Sequence, residues 1–350
     1  MTPEERRLHA LEGEEERRGP TPAREAHDAL ETALFEIKRV IVGQEAMLER
    51  VLVALLARGH VLLEGVPGLA KTLTVKTVAD VLGGSFRRVQ FTPDLVPSDL
   101  AGTRIYRPDT GEFDTELGPV FCNFLLADEI NRAPAKVQSA LLEVMGERQV
   151  TIGPRTYPAP NPFLVMATQN PIESEGTYPL PEAQVDRFML KIVVGYPDAR
   201  DEAAVVARSL GQPARLERVL SVEALASYQR AAEQVYVDRP VAEYAVTLAS
   251  ATRALGGHGL ERLERYVEFG ASPRGSINLV HGARALALLR GRAYALPRDV
   301  ADLAPDVLRH RLVLSYEALA DGIGADTIVA EVLEAVEQPR IEFERTDAAA

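Results

Sequence analysis

The sequence predicts an α/β fold, in which helices cover both faces of a parallel sheet, followed by a helical domain. Five short apolar segments between residues 61 and 194 alternate with stretches of helical periodicity, as parallel strands require. A glycine-containing loop follows the first of these segments directly. After residue 197 only helical periodicity is evident, so we expect the helical domain to span 198–350.

Each element of the α/β core, expected over 29–197, follows from local pattern. The expected elements are a helix over 44–58, a strand over 61–64, a helix over 72–82, strands over 87–91 and 124–129, a helix over 134–146, and strands over 163–168 and 188–194. Residues 92–120 are rich in Pro, Asp, Thr and Gly and are too long for a simple connector, so we expect an insert with local structure. Residues 148–160 surround Gly153-Pro154 and predict a hairpin.

Composition narrows the class of protein. The 350-residue chain has a formal net charge of -12, which disfavours broad binding to nucleic acid. Its single cysteine, Cys122, excludes a disulfide framework, and we interpret it as a small core hydrophobe. The six histidines form no ligand cluster, and we interpret His60 as structural.

The N-terminal residues and the lengths of the apolar runs predict where in the cell the protein is found. Residues 1–28 are dense in Glu and Arg, which predicts a mobile extension and lacks the apolar stretch of a signal peptide. No apolar run approaches the roughly 18 residues that cross a bilayer. We therefore expect a cytoplasmic protein with no membrane span.

The loop GVPGLAKT resembles a phosphate-binding loop in which Ala70 replaces the second glycine of G-x-x-x-x-G-K-[ST]. Such loops bind phosphate because backbone N–H groups converge at a helix N-terminus, where a methyl group on Ala70 can be accommodated. The expected nucleotide-binding residues here are Gly65, Val66, Pro67, Gly68, Leu69, Ala70, Lys71, Thr72 and Leu73. Lys71 would contact the β- and γ-phosphates and Thr72 would ligate Mg²⁺. The alternative is a plain turn with a solvated lysine, but the strand before the loop and the helix after it favour a nucleotide site.

Polar residues that follow two later strands are candidates for the chemistry. Asp128 and Glu129 end an apolar strand, where Asp128 can hold Mg²⁺ and Glu129 can polarise a water for attack on the γ-phosphate. Asn170 follows the next strand and can orient that water. The alternatives are an ordinary polar strand end and a turn residue before proline.

Two arginines are candidates for contact with the γ-phosphate. Arg187 precedes the fifth strand and could act as an arginine finger, a guanidinium that stabilises charge in the transition state. Arg274 begins a helix of the second domain and could couple nucleotide state to domain angle. On spacing alone, a surface ion pair is the better explanation of Arg187, and a surface charge explains Arg274 about as well as the functional role does.

With these residues in place, the chain resembles the MoxR family of AAA+ ATPases over roughly 29–340. The resemblance is carried by LLEGVPGLAKT (62–72), FLLADEINRAPAKVQSALLEVMGERQVT (124–151) and ATQNPIESEGTYPLPEAQVDRF (167–188). It implies a P-loop core with a five-stranded parallel sheet and an all-α lid. An alanine before the lysine is ordinary in that family.

The resemblance also implies roles for individual residues. The loop at 65–72 becomes Walker A, Asp128-Glu129 becomes Walker B, and Asn170 becomes sensor 1. Arg187 becomes the finger that acts on a neighbouring subunit, and Arg274 becomes sensor 2. The segment Val42-Gly43-Gln44 resembles the one that lines the adenine, and Arg132 is a second candidate for contact between subunits.

The family further implies an assembly and partners. It implies a homo-oligomeric ring, usually hexameric, with ATP and Mg²⁺ as cofactors. It implies a chaperone-like action on a protein client, often together with a partner that carries a von Willebrand factor A domain. The segments 92–120 and 148–160 resemble inserts that can project towards a central pore.

Three alternative functions share the same loop. A monomeric small-molecule kinase would need no water-activating glutamate, so Glu129 argues against it. A DNA-associated motor is disfavoured by the acidic charge, although Arg104 and Arg107 in the insert could meet a phosphate backbone. A scaffold that binds ATP without turnover is made less attractive by the presence of Glu129.

Overall fold

The structure is a computed structural model of the chain. It describes residues 22–66, 69, 71–170, 176–212 and 214–340. The strands are β1 (Val61–Glu64), β2 (Phe86–Gln90), β3 (Gly102–Arg107), β4 (Glu112–Leu117), β5 (Phe124–Asp128), β6 (Gln149–Ile152), β7 (Arg155–Pro158), β8 (Leu164–Gln169), β9 (Leu190–Val193), β10 (Val267–Phe269) and β11 (Val313–Leu314).

The α-helices are likewise numbered in chain order. They are α1 (Pro22–Lys38), α2 (Glu45–Leu56), α3 (Lys71–Leu82), α4 (Pro97–Ala101), α5 (Ala135–Glu147), α6 (Glu182–Val185), α7 (Ala199–Ser209), α8 (Val222–Gln234), α9 (Arg239–Ala251), α10 (Pro273–Leu289), α11 (Pro297–Leu308), α12 (Tyr316–Asp321) and α13 (Ala325–Ala335).

The core is a five-stranded sheet in the order β2-β5-β8-β1-β9, with every pair parallel. This confirms the predicted fold class. Side chains alternate between two apolar clusters: Leu63 and Leu126 enter one, whereas Leu62 and Leu125 enter the other. A sheet buried on both faces explains why its strands read as continuous apolar runs.

The N-terminal helix α1 is not among the elements that the sequence predicts. Helix α1 already includes residues 22–28, which we expected to belong to a mobile extension. The reason is an apolar stripe of Ala26, Leu30, Ala33 and Ile37, all fully buried and spaced by three or four residues. Residues 1–21 lie outside the described part of the chain, as do residues 341–350 of the expected C-terminal tail.

The insert and the hairpin both have regular structure. The 92–120 segment contains α4 and the antiparallel pair β3–β4, and the 148–160 segment contains the antiparallel pair β6–β7. The helical domain after residue 197 also contains a short antiparallel ribbon of β10 and β11, which the sequence does not predict. Strands of three and two residues are too short to show an alternating pattern.

The structure shows where Cys122 lies and whether the described helices are long and apolar enough to span a membrane. Cys122 is buried and its thiol donates to the carbonyl of Phe124 at 3.3 Å. Burial raises the pKa of this thiol to about 12, as expected for a core residue. Among the helices within the described ranges, none is both long and apolar enough to cross a bilayer.

His60 is a buried structural residue, as its sequence context suggested. Its Nδ1 accepts from the Val165 N–H at 3.0 Å, and its Nε2 lies 3.2 Å from the Met145 carbonyl, so the ring ties β8 to the end of α5. Burial, reinforced by the nearby Arg148 charge, lowers the pKa of His60 to about 3. The ring is therefore neutral in the folded protein at neutral pH.

This shift predicts a pH dependence of stability. The unfolded chain binds a proton at His60 near its ordinary pKa of 6.5, whereas the folded chain does so only at about 3. The free energy of unfolding therefore falls as pH drops from about 6.5 towards about 3, by about 1.4 kcal/mol per pH unit from this residue.

Urea unfolding of the wild type and of His60→Gln at about pH 7.5 and about pH 5.5 measures this contribution. Glutamine keeps a donor and an acceptor but does not titrate, so the wild type should lose more stability than the variant on acidification. Equal losses in the two proteins would contradict the assignment.

Candidate active site

The parallel register gathers the candidate residues at one edge of the sheet. Gln90 pairs with Asp128 across β2 and β5, and Leu63 pairs with Thr168 across β1 and β8. Because all five strands run the same way, the residues that follow them meet at this edge, which we call the carboxyl edge. The opposite edge, where the strands begin, we call the amino edge.

The phosphate loop lies at the carboxyl edge after β1. The N–H of Gly65 donates to the Gln169 carbonyl at 3.4 Å, and a Cβ at Gly65 would lie 2.7 Å from the Val194 oxygen. A side chain is therefore excluded there by β9. Around it, Val66 is half-buried and Leu69 is buried, whereas the predicted residues Pro67, Gly68 and Ala70 lie outside the described residues.

Lys71 starts α3 and points back into the loop. Its Nζ donates to the Gly65 carbonyl at 2.5 Å. Burial lowers the pKa of this lysine, and the charges of Asp128, Glu129 and Glu64 oppose that shift. Thr72 follows it and is half-buried, and Leu73 is exposed.

Asp128 is held by two neighbouring strands. The Thr168 hydroxyl donates to its Oδ1 at 2.6 Å. Arg88 on β2 donates to its Oδ2 from both Nε and Nη2, at 3.0 and 2.6 Å. Thr168 fixes the orientation of this carboxylate, and Arg88 would have to leave Oδ2 for that oxygen to bind a metal cation.

Glu129 adopts a left-handed backbone conformation, with φ 56° and ψ 52°. Its N–H donates to the Thr168 hydroxyl oxygen at 2.8 Å, which fixes this bend. Its Oε2 accepts from Gln90 at 2.8 Å and pairs with Arg132 at 2.9 Å. The carboxylate thus lies beside Asp128, held by groups that can release it.

Asn170 and the predicted adenine segment lie at the same edge. Asn170 is buried and follows Gln169, whose carbonyl accepts from the Gly65 N–H of the phosphate loop. Gly43 has φ +65°, and a Cβ there would lie 2.4 Å from Asp201 Oδ2. Gln44 donates to the Gly195 carbonyl at 3.1 Å, just beyond β9. Val42 is half-buried beside them.

The two candidate arginines lie at the amino edge instead. Arg187 precedes Leu190, which pairs with Val61 at the start of β1, and its Nη1 donates to the Leu142 carbonyl at 2.6 Å. Arg274 pairs with Asp186 at 3.4 Å. At about 3.3 Å per residue, the four residues of β1 separate this edge from the phosphate loop by roughly 13 Å. The structure therefore places both arginines at the amino edge, away from the Lys71 of their own chain.

The residues present fit a magnesium nucleotide. Mg²⁺ prefers hard oxygen ligands and is commonly held by one or two protein groups together with phosphates and water. Asp128 and the Thr72 hydroxyl supply oxygens of this kind. No cluster of three or more His, Cys, Asp or Glu that could hold a metal occurs in the described part of the chain, and a nucleotide-dependent site does not need one.

Sequence reasoning missed three contributors to this site. Arg88 lies in the middle of β2 and Gln90 ends it. Their contacts with the acidic pair depend on β2 lying next to β5, which no local pattern shows. Thr168 binds both Asp128 and the Glu129 N–H, yet a threonine at a strand end has many ordinary explanations. A usable signal is a polar side chain at the carboxyl end of each predicted parallel strand.

Comparisons with protein-family models identify both halves of the chain. Residues 60–190 match the ATPase family associated with various cellular activities (AAA). Residues 260–332 match the AAA lid domain. The two matches fall on the parallel sheet and on the helical domain.

Individual proteins extend this similarity over almost the whole chain. "Chaperone MoxR1" of Mycobacterium tuberculosis is 57% identical over 91% of this chain and 84% of its own length. "Uncharacterized protein YeaC" of Bacillus subtilis is 46% identical over 89% of this chain and 96% of its own. The crystal structure of a candidate ATPase from Cytophaga hutchinsonii is 46% identical with a TM-score of 0.86, covering 95% of this chain and 99% of its own.

Thr168 offers a test of the acidic pair. Replacing Thr168 by Val removes the donor to Asp128 and the acceptor for the Glu129 N–H while nearly preserving shape. We expect a loss of about 1–3 kcal/mol in the free energy of unfolding and a fall in nucleotide hydrolysis of roughly ten-fold or more.

Urea unfolding and phosphate release measure the two effects, and Thr168→Ser, which keeps the hydroxyl, is the matched control. Wild-type hydrolysis by the valine variant would show that the hydroxyl does not organise the site.

Proposed function

This chain belongs to the MoxR family of AAA ATPases, and from that premise we propose that it hydrolyses Mg-ATP in a hexameric ring to remodel or activate a protein client. The observation that carries the proposal is the separation of Arg187, at the amino edge, from Glu129, at the carboxyl edge. A guanidinium so placed can complete only the site of a neighbouring copy. Hydrolysis then depends on assembly.

Within one chain, the residues at the carboxyl edge bind the nucleotide and activate the attacking water. Lys71 would contact the β- and γ-phosphates, and Thr72 and Asp128 would hold Mg²⁺, which would neutralise charge on the phosphate oxygens. Glu129 accepts a proton from the attacking water, and Asn170 orients that water. Since Gln90 and Arg132 occupy Glu129 Oε2, the carboxylate turns away from them before it acts as a base.

Between chains, Arg187 stabilises the charge that develops on a neighbour's γ-phosphate. Arg274 pairs with the Asp186 carboxylate at the same edge, which favours a role for it in the neighbour's site as well. Val42, Gly43 and Gln44 line the adenine beside Gly195. The nucleotide thus lies between copies, and its state sets the angle between them.

The client is a protein, as the chaperone name of the Mycobacterium tuberculosis relative suggests. The β3–β4 hairpin supports this because it exposes Tyr106 and Phe113, whose ring centroids lie 5.2 Å apart. Exposed aromatic side chains can bind an extended segment of a client through apolar contacts. A von Willebrand factor A domain protein is the partner that we propose, and the cytoplasm, where ATP is abundant, is the location.

Contacts within the hairpin weaken the DNA-motor alternative. Arg104 lies over the Phe113 ring at 4.5 Å, and Arg107 pairs with Asp114 at 2.8 Å. Both arginines are already engaged, and the chain carries a net charge of -12. The hairpin is therefore better suited to a protein than to a phosphate backbone.

A mixing experiment tests the shared site. Glu129→Gln should bind ATP but hydrolyse it roughly 100-fold more slowly or worse, and Arg187→Ala should fall by a similar or larger factor. An equal mixture should recover turnover, because a Glu129→Gln chain lends its arginine to an Arg187→Ala chain whose own acids are intact. Random assembly makes about a quarter of the interfaces competent.

Two controls sharpen the result. Mixing Arg187→Ala with a chain that carries both substitutions should give no recovery. Arg239→Ala removes an exposed arginine of the second domain and should leave turnover unchanged. Full activity of Arg187→Ala alone would assign the phosphate contact to Arg88 or Arg132 of the same chain, and turnover independent of assembly would favour the kinase alternative.

A further inference from the structure

A buried arginine of the second domain, Arg311, donates hydrogen bonds to the backbone of the segment that carries Arg187. It lies in the 3₁₀ turn Arg309–Arg311 that follows α11, and its side chain is only 1% exposed. Its Nη2 donates to the carbonyls of Phe188 at 2.6 Å and Asp186 at 3.2 Å, and its Nη1 to that of Met189 at 3.3 Å. Three carbonyls on either side of Arg187 are thus bound by one guanidinium.

The Asp186 carboxylate completes this contact. Its Oδ1 lies 2.9 Å from Arg311 Nε and its Oδ2 lies 3.4 Å from Arg274 Nη1. The Ser272 hydroxyl donates to both of its oxygens, at 3.3 and 3.1 Å. One core carboxylate, adjacent to Arg187, therefore joins three groups of the lid.

The backbone carbonyls around Arg187 find hydrogen-bond partners outside their own segment. Helix α6, which precedes it, has four residues and buries none of them. The carbonyls of residues 186, 188 and 189 therefore rely on a distant partner rather than on a long helix. Burial lowers the pKa of Arg311 to about 10, opposed by Asp186, so it is still a cation at neutral pH.

We infer that Arg311 is a positioning residue, which fixes Arg187 and so links the lid of one copy to hydrolysis in the site of the next. This inference rests on the proposed role of Arg187 as a finger acting between copies. Arg311 touches neither nucleotide nor water. It acts by holding the backbone on both sides of Arg187, because a guanidinium misplaced by about 1 Å can cost up to roughly 100-fold in rate.

A complementation test separates positioning from a general structural role. Arg311→Met should lower ATP turnover by roughly 10–100-fold while leaving binding of a fluorescent ATP analogue unchanged, because its own phosphate loop and acids are intact. Mixing it with Glu129→Gln should restore turnover, since that chain supplies a well-held Arg187. Mixing it with Arg187→Ala should not, since neither chain then supplies a competent finger.

Matched variants keep the test decisive. Arg311→Lys retains the charge but loses the fork of donors, so it should show a milder defect with the same pattern of restoration. Arg309→Met removes a guanidinium from the same turn, one that binds the Lys191 carbonyl at 2.7 Å instead of the 186–189 segment. It should keep turnover close to that of the wild type.

The contrary outcomes are equally distinct. Restoration by Arg187→Ala but not by Glu129→Gln would place the defect in the variant's own site and overturn the inference, and so would restoration by neither partner or full activity of Arg311→Met. The reference mixture of Glu129→Gln with Arg187→Ala reports on the proposed function separately. If that mixture fails to recover, the shared site itself is wrong, and the role of Arg311 falls with it.

Discussion

The parallel pairing of β8 with β1 and β5, and of β1 with β9, determines where the candidate side chains that flank the strands lie. Because the strands run the same way and are in register, the phosphate loop, the acidic pair and Asn170 meet at the carboxyl edge. The same register places Arg187, which precedes β9, at the amino edge. One constraint of sheet geometry thus assembles the binding half of a site and separates it from the guanidinium that would complete it.

One group of the contacts that join the lid to the core lies at the amino edge. Arg311 binds the backbone on either side of Arg187, and Asp186 pairs with Arg274 at the start of α10. Under the proposed mechanism, a change in the angle of the lid would reach the segment around Arg187 through these charged contacts. Nucleotide state in one copy and hydrolysis in the next are coupled if copies assemble edge to edge.

The sequence predicted the fold class and the main acidic and basic residues because each depends on local pattern. Strand, loop and helix are consecutive around Lys71, and Asp128 follows a visible apolar run. Contacts between elements distant in the chain could not be predicted from local pattern. The contact of Gln90 with Glu129 depends on strand order, and the contact of Arg311 with the Asp186 carbonyl depends on how the lid packs against the core. Helix α1 was not predicted because charged residues lie between the members of the apolar stripe that begins at Ala26, and its spacing is hard to see in the sequence.

The dependence of ATP turnover on assembly tests the shared site most directly. Turnover per chain is measured across a dilution series, with sedimentation recorded at each concentration in the presence of ATP. A site completed by a neighbour predicts that turnover per chain falls together with the assembled fraction. Constant turnover per chain in the range where the protein sediments as single copies would contradict it.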